Sequence, residues 1–210
     1  MGLRRRLRRL PAHVGYYRGP WVMSWLRKRW VLLRHPHAEV RFGRGTYLGP
    51  GFSLHLPEDG AFVVGDGCEF RRDFRCEIQG SGRVTIGDRC HFTYSVLIQC
   101  TTTIEIGDRC IFGQTTFMVD GQHRFRDLTR PLLNQGYDFR PLRIEDDVMT
   151  TTKCTIMADI GHRAIVGANA VVTRPIPAYT VAVGAPARPI DYFGPPGQEP
   201  AELAQARDGG

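Results

Sequence analysis

Apolar residues recur along this chain at every sixth position, a spacing that is neither helical nor alternating. Ile86, Phe92 and Ile98 lead three consecutive hexads, and Ile106, Phe112 and Met118 lead three more. The hexads open on a repeated phrase: Val64-Gly-Asp-Gly-Cys68, Ile86-Gly-Asp-Arg-Cys90 and Ile106-Gly-Asp-Arg-Cys110. Its copies are 22 and 20 residues apart (64 to 86, 86 to 106). An aliphatic lead, a Gly-Asp corner and a small residue four places on make the hexapeptide pattern of a parallel β-helix, whose leads point into a narrow shaft. Gly is expected to supply positive φ at the corner, and Asp to hydrogen-bond its own backbone. Three hexads make one triangular coil. The pattern returns as Ile144-Glu-Asp-Asp-Val148, Ile160-Gly-His-Arg-Ala164 and Val166-Gly-Ala-Asn-Ala170.

The pattern therefore predicts an all-β solenoid of about five to six coils, enough for each coil to bury its neighbour's open face. Residues 40–174 form the solenoid, 1–39 a basic N-terminal segment and 175–210 a C-terminal extension and tail that is disordered at its end. From Val40 to Val84 the repeats are irregular, with glycines marking corners, and the coils end at Thr173. Between Asp120 and Pro141 the hexads stop, leaving a long polar and aromatic loop. Such an excursion from a compact scaffold carries function more often than not. Trp21–Arg34 reads as a short helix, with Trp21, Trp25 and Leu32 near one face and Arg27, Lys28 and Arg29 beside it.

Charge sharpens the division. Residues 1–41 hold 11 Lys and Arg against one acid (Glu39), a balance of +10, whereas the remainder holds 17 against 20. The basic character belongs to the N-terminal segment. Aromatic plus basic residues suit a helix lying on an anionic membrane surface; the alternative is a helix capping the solenoid with its arginines exposed. A basic run alone is weak support for nucleic-acid binding, which is not expected. The Arg4–Arg9 run lacks the apolar segment of a secretory signal, and no stretch is long enough to span a membrane.

Cys68, Cys90, Cys110 and Cys154 all fall four places after a hexad lead, where a buried thiol acts as a small hydrophobe. With no C-x-x-C pair, no metal site is expected, and free thiols point to a reducing, cytoplasmic setting. His123, three residues into the excursion, is the candidate general base. Histidine titrates near neutral pH, where it can take a proton from a substrate. His91 and His162 sit at hexad corners and are expected to be exposed; His55 is assigned no role.

The order of parts resembles the hexapeptide-repeat O-acetyltransferases, among them the maltose, galactoside and polysaccharide-tailoring enzymes. The resemblance spans residues 40–190 and rests on Asp120-Gly-Gln-His123, Pro131-Leu-Leu-Asn-Gln-Gly-Tyr137, Val171-Val-Thr-Arg174-Pro-Ile-Pro177 and Gly184-Ala-Pro-Ala-Arg188. It implies a left-handed winding, a homotrimer with active sites between subunits, and an acyl-CoA donor, acetyl-CoA foremost. The acceptor it implies is a carbohydrate or glycan-precursor hydroxyl, a poor nucleophile near neutral pH, with His123 as the base that takes its proton and a backbone N–H donor for the charge on the acyl oxygen. The positions it matches for CoA are Thr152, Ala168, Thr173, Arg174 and Arg188, small residues for the pantetheine arm and guanidiniums for phosphates. The chain departs from that pattern at Met149-Thr150-Thr151, where relatives have Trp-Ile-Gly. It departs again at Ile156–Ile160, where the coil is two residues short. Thr93 and Thr101 stand where galactoside-type members place their sugar-contacting Asn and Asp. A scaffold that has lost its donor site is the alternative function. A zinc-dependent carbonic anhydrase on the same fold would need a third histidine beside His91 and His123.

Overall fold

The computed structural model describes residues 19–201 and 203; the Arg4–Arg9 run and the end of the tail lie outside them. From Glu39 the chain visits three parallel sheets in rotation. The first circuit comprises Glu39–Phe42, Tyr47–Leu48 and Ser53–His55, and the second Ala61–Val64, Glu69–Phe70 and Arg75–Ile78. Each strand pairs in parallel with its counterpart one circuit further on. Two more such circuits follow, ending at Phe117–Val119, and after the excursion a fifth comprises Leu142–Ile144, Met149–Thr150 and Thr155–Ile156. Ile160 opens a sixth and Ile176 a seventh, each by a single parallel bridge. The seventh continues through Thr180–Val183, against which Arg188–Tyr192 folds back antiparallel.

Two expectations are corrected here. The stretch 40–84 is not irregular, since its strands pair residue for residue with those that follow. The circuits do not end at Thr173, because Ile176 and Thr180–Val183 add most of another. The segment Ile156–Ile160 does leave its circuit two residues short of three hexads, and the stack accommodates this. Ile144 to Ile160 is 16 residues, and the next circuit, Ile160 to Ile176, has the same length.

Successive circuits stack their inward residues in files. On the second sheet the file reads Leu48, Phe70, Phe92, Phe112, Thr150, Val166 and Ala182, all buried. Phe70 and Phe92 lie ring on ring at 4.7 Å, and Phe92 and Phe112 at 5.0 Å. Thr150 replaces an aliphatic lead, and its buried hydroxyl lies 3.3 Å from that of Thr116. Large rings thus fill the early circuits and small side chains the late ones, which matches the fall in circuit length from 22 to 16 residues.

The corner chemistry differs from the expected turn. Each Asp accepts a hydrogen bond from the backbone of the preceding circuit, not from its own. Asp66 N–H donates to Asp88 at 2.8 Å, Asp88 N–H to Asp108 at 2.8 Å, and Asp108 N–H to Asp146 at 2.9 Å. Such a file of carboxylates repels itself, and arginines neutralise it. Arg109 reaches Asp147 at 2.7 Å and Asp146 at 3.2 Å, and holds the Asp147 carboxyl below its usual range. Positive φ falls on the residue after the Asp, Gly67 in one copy but Arg89 and Arg109 in the others. The invariant Gly of the phrase answers a different need: a Cβ on Gly87 would collide with the Asp108 carboxylate and sit 2.8 Å from the Gly107 carbonyl carbon.

The inward thiols are donors as well as filler. Cys68 Sγ donates to Gly87 O at 3.1 Å, Cys90 to Gly107 O at 3.0 Å and Cys110 to Glu145 O at 3.1 Å. Thr46 does the same one circuit earlier, its hydroxyl donating to Gly65 O at 2.8 Å. The neighbouring Cys110 thiol and burial push Cys90 up to about 12, and burial followed by the Asp120 charge pushes Cys100 up to about 12.

The helix α1 (Gly19–Arg34) lies across the edge strand Tyr47–Leu48 of the first circuit. Ser24 Oγ accepts from Leu48 N at 2.8 Å, Arg27 donates to Leu48 O at 2.9 Å and Lys28 to Thr46 O at 2.8 Å. The capping alternative placed the basic side chains in solvent; instead Arg27 and Lys28 close the open sheet edge, whose amides and carbonyls otherwise lack partners.

Two measurements check this account. Gly87→Ala is expected to destabilise the fold by about 1–3 kcal/mol in chemical denaturation, while Arg89→Gly, at a positive-φ position, changes it by less than about 1 kcal/mol. Ellman's reagent is expected to leave all six buried cysteines unmodified in the folded protein and to titrate them on unfolding.

Candidate functional site

Asp120 occupies the inward position that Ile78 and Cys100 hold in the two preceding circuits, and it is only 4% exposed. A buried carboxylate needs donors, and the adjoining turn provides them. Thr101 N–H lies 3.0 Å from the carboxylate, Thr102 N–H 2.6 Å and the Thr102 hydroxyl 2.8 Å. The Asp120 carbonyl in turn accepts from Arg140 N–H at 2.7 Å. One residue therefore fixes both the departure and the return of the chain.

What was expected to be a loop begins as a β-hairpin. Gly121–His123 pairs antiparallel with Tyr137–Phe139, setting His123 opposite Tyr137. Gly121 lies against the Phe139 ring with no room for a Cβ. Beyond the strands, buried Gln135 clamps the excursion. Its amide donates to Asp127 O at 2.9 Å and Arg130 O at 3.0 Å and accepts from Asp127 N–H at 3.0 Å. Gly136 follows at φ +78°, which turns the chain into the return strand. The Pro131–Tyr137 phrase is thus the brace of the hairpin.

The exposed His123 ring packs on Tyr137 with centroids 4.2 Å apart, and Tyr137 stacks on Phe139 at 5.5 Å. Among the described residues no hydrogen bond engages either imidazole nitrogen, so both remain available to a ligand. His123 borders a polar cleft of about 270 Å³ that runs down the third sheet past Thr101, Gln99 and Glu77. Gln99 donates to Glu77 at 2.9 Å across two circuits. Neither residue was singled out from the sequence. The available signal was their outward place between inward neighbours, Cys76 and Ile78, and Ile98 and Cys100. The other flank of the hairpin opens a basic cavity of about 610 Å³ bordered by His123, Arg124, Arg126 and Arg130. Arg124 is paired with Asp138 at 2.6 Å.

The remaining predicted positions gather at two third-sheet strands, Thr155–Ile156 and Val171–Val172. Thr152 and Ala168 stack at the corner where these strands begin, and Asn169 N–H bonds Thr152 O at 3.0 Å. Thr173 and Arg174 follow where Val171–Val172 ends, and Ala187 N–H bonds Val171 O at 2.8 Å, bringing Arg188 alongside. Arg174 is exposed, and Arg188 donates to Ala187 O at 2.9 Å. Thr173 borders a cavity of about 270 Å³ with Met157, Phe139 and Arg140. In a single chain the hairpin base lies between this cavity and the His123 cleft, so the structure does not bring His123 and the five positions into one cavity. His91 and His162 are half-buried, contrary to expectation. His91 Nδ1 lies 3.2 Å from Glu69, and His162 packs edge-on to Tyr179. The Thr93 hydroxyl donates to Phe112 O at 2.9 Å, whereas Thr101 borders the cleft.

Parallel circuits, a hairpin excursion and a histidine at its cleft define a class that comparison with known proteins makes specific. No protein-family profile matches the sequence. The chain is similar to Rv3034c of Mycobacterium tuberculosis, described as an acetyltransferase, with 31% identity over 180 residues, 81% of this chain and 57% of that protein. It is also similar to C18B11.09c of Schizosaccharomyces pombe, likewise described as an acetyltransferase, with 31% identity over 110 residues, 51% and 52% of the two chains. The chain spans little more than half the length of these curated relatives. Among solved structures, the hexapeptide-repeat acetyltransferase VCA0836 of Vibrio cholerae superposes with a TM-score of 0.54 at 26% identity, covering 79% of this chain and 80% of that one. AntD, an N-acyltransferase of Bacillus cereus solved with dTDP and 3-hydroxybutyryl-CoA, superposes with a TM-score of 0.62, covering 84% and 92%. At 18% identity AntD shares the fold alone. In sequence and fold together, the chain resembles the hexapeptide-repeat acetyltransferases.

Asp120→Asn tests the anchor. It keeps the shape of the side chain and replaces one acceptor oxygen by a donor in a site with four donors, Thr101 N–H, Thr102 N–H, the Thr102 hydroxyl and the Cys100 thiol. Thermal unfolding is expected to show a loss of about 1–3 kcal/mol, with proteolysis gaining access to the 124–136 segment.

Proposed function

We propose that this chain is a CoA-dependent O-acyltransferase that moves an acetyl group to a carbohydrate or glycan-precursor hydroxyl, with His123 as the general base. The observation that carries this reading is the presentation of His123. It sits on a braced hairpin, with both ring nitrogens unengaged, at the mouth of a polar cleft suited to a hydroxyl-rich acceptor. His123 accepts the hydroxyl proton as the oxygen attacks the thioester carbonyl, and returns it to the departing thiolate. No covalent bond to the protein is needed, in keeping with six cysteines that are all buried.

The donor reading rests on the acetyltransferase resemblance and on the grouping of Thr152, Ala168, Thr173, Arg174 and Arg188 about two strands. Small side chains there leave the strand edge open to a pantetheine arm, and the guanidiniums suit phosphates. The circuits are read as a left-handed β-helix that assembles as a homotrimer. The separation of His123 from the donor positions within one chain favours a site completed by a second copy. Buried free thiols accord with a cytoplasmic setting. The domain division is read as a catalytic solenoid that begins near residue 40 and runs past 174 to Val183, with the flanking segments as its appendages.

Thiol release from acetyl-CoA in the presence of candidate glycans tests the assignment. His123→Ala is expected to lower the rate about 10²–10⁴-fold while calorimetry shows unchanged CoA affinity. An undiminished rate would remove His123 from the mechanism, and absence of CoA binding by the parent protein would make the chain a scaffold. Hydroxylamine is expected to cleave the product, since an ester yields to it and an amide does not.

A further inference from the structure

The helix α1 is built inside out. Its polar and basic side chains, Ser24, Arg27 and Lys28, face the stack because the edge strand Tyr47–Leu48 needs hydrogen-bond partners. Among them only Val31 joins the core. At 100° per residue the opposite face carries Val22, Leu26 and Leu33 along its centre, with Trp25, Trp30 and Met23 at its margins. These side chains are 46–72% exposed, Leu33 the most. A helix that only capped the first circuit would gain nothing from such an outer face, an apolar stripe of about three turns broken only by Arg29.

We infer that the outer face of α1 docks on an anionic lipid bilayer, lying in its interface. Three observations select that occupant. The helix contains no acid, and the Arg29 guanidinium sits over the Trp25 ring at 5.4 Å within the stripe. The 18 residues that precede the helix in sequence carry six arginines and no acid, so the strongest positive charge of the chain adjoins α1 in sequence. Tryptophans flanking aliphatic side chains suit the headgroup boundary, and basic residues add attraction to anionic lipid. A second copy is a poor occupant, because it would bring another segment of balance +10 against the first. Among the described residues no helix is long and apolar enough to cross a membrane, so the contact is peripheral.

The chain supplies its own probe. Its three tryptophans, Trp21, Trp25 and Trp30, all lie on this helix and are 51–59% exposed. Full-length protein is titrated with vesicles of phosphatidylcholine alone and with vesicles containing roughly 30% phosphatidylserine. A blue shift of tryptophan emission is expected with the anionic vesicles and not with the neutral ones, weakening as salt is raised. Leu26→Glu/Leu33→Glu is expected to lower vesicle affinity at least about tenfold while leaving the melting temperature unchanged, since both side chains face away from the stack. The inference fails if the parent emission does not respond to anionic vesicles, or if the double variant binds them as the parent does. It also fails if the double substitution reduces the oligomeric state, which would make the stripe a surface between copies.

Discussion

In-register parallel stacking governs this molecule. Each residue lies about 4.8 Å from its counterpart in the next circuit, so every position must tolerate its own image. Phenylalanines tolerate it by lying ring on ring, as Phe70, Phe92 and Phe112 do. The corner cysteines Cys68, Cys90 and Cys110 tolerate it because their thiols donate to carbonyls of the following corner. Carboxylates tolerate it only with help: each Asp in the corner file takes an amide from the circuit before, and Arg44 and Arg109 offset the accumulated charge. Glycine stands where the image comes too near for a Cβ.

The candidate site grows from the same constraint. Asp120 holds a position in the stack, yet its shortest hydrogen bonds come from the Thr101–Thr102 turn, the Cys100 thiol beneath it donates at 3.6 Å, and its carbonyl ties down the returning strand. The hairpin is therefore anchored to the rigid body at its base and clamped at its far end by Gln135. An exposed histidine on such a support is held in place by its own strand and by Tyr137.

The inward files were legible in the sequence because they depend on period alone: Ile86, Phe92, Ile98, Ile106, Phe112 and Met118 are each buried as the hexads require. The place of the excursion was legible for the same reason, as the point where the period fails. The partners of the corner residues were not. A turn read in isolation suggests that Asp bonds its own backbone, whereas the bond runs to a residue 20 or 22 positions away. Glu77 and Gln99 became visible only once register placed one above the other. The orientation of α1 was hidden for a related reason. Its apolar residues suggested which face would pack, but the unpaired edge of the first circuit called for the polar one.

A stack of parallel strands has two growing ends, each a template for another strand of any chain that fits. Here both ends of the second sheet are stopped by something that cannot be copied onward. At one end α1 fills the amides and carbonyls of Thr46 and Leu48 with side chains. At the other Arg188–Tyr192 runs antiparallel to Thr180–Val183, breaking the parallel register with a bulge between Val181 and Ala182. The architecture shares its strand geometry with amyloid, and these two terminators leave its longest sheet no free parallel edge on which a fibril could start.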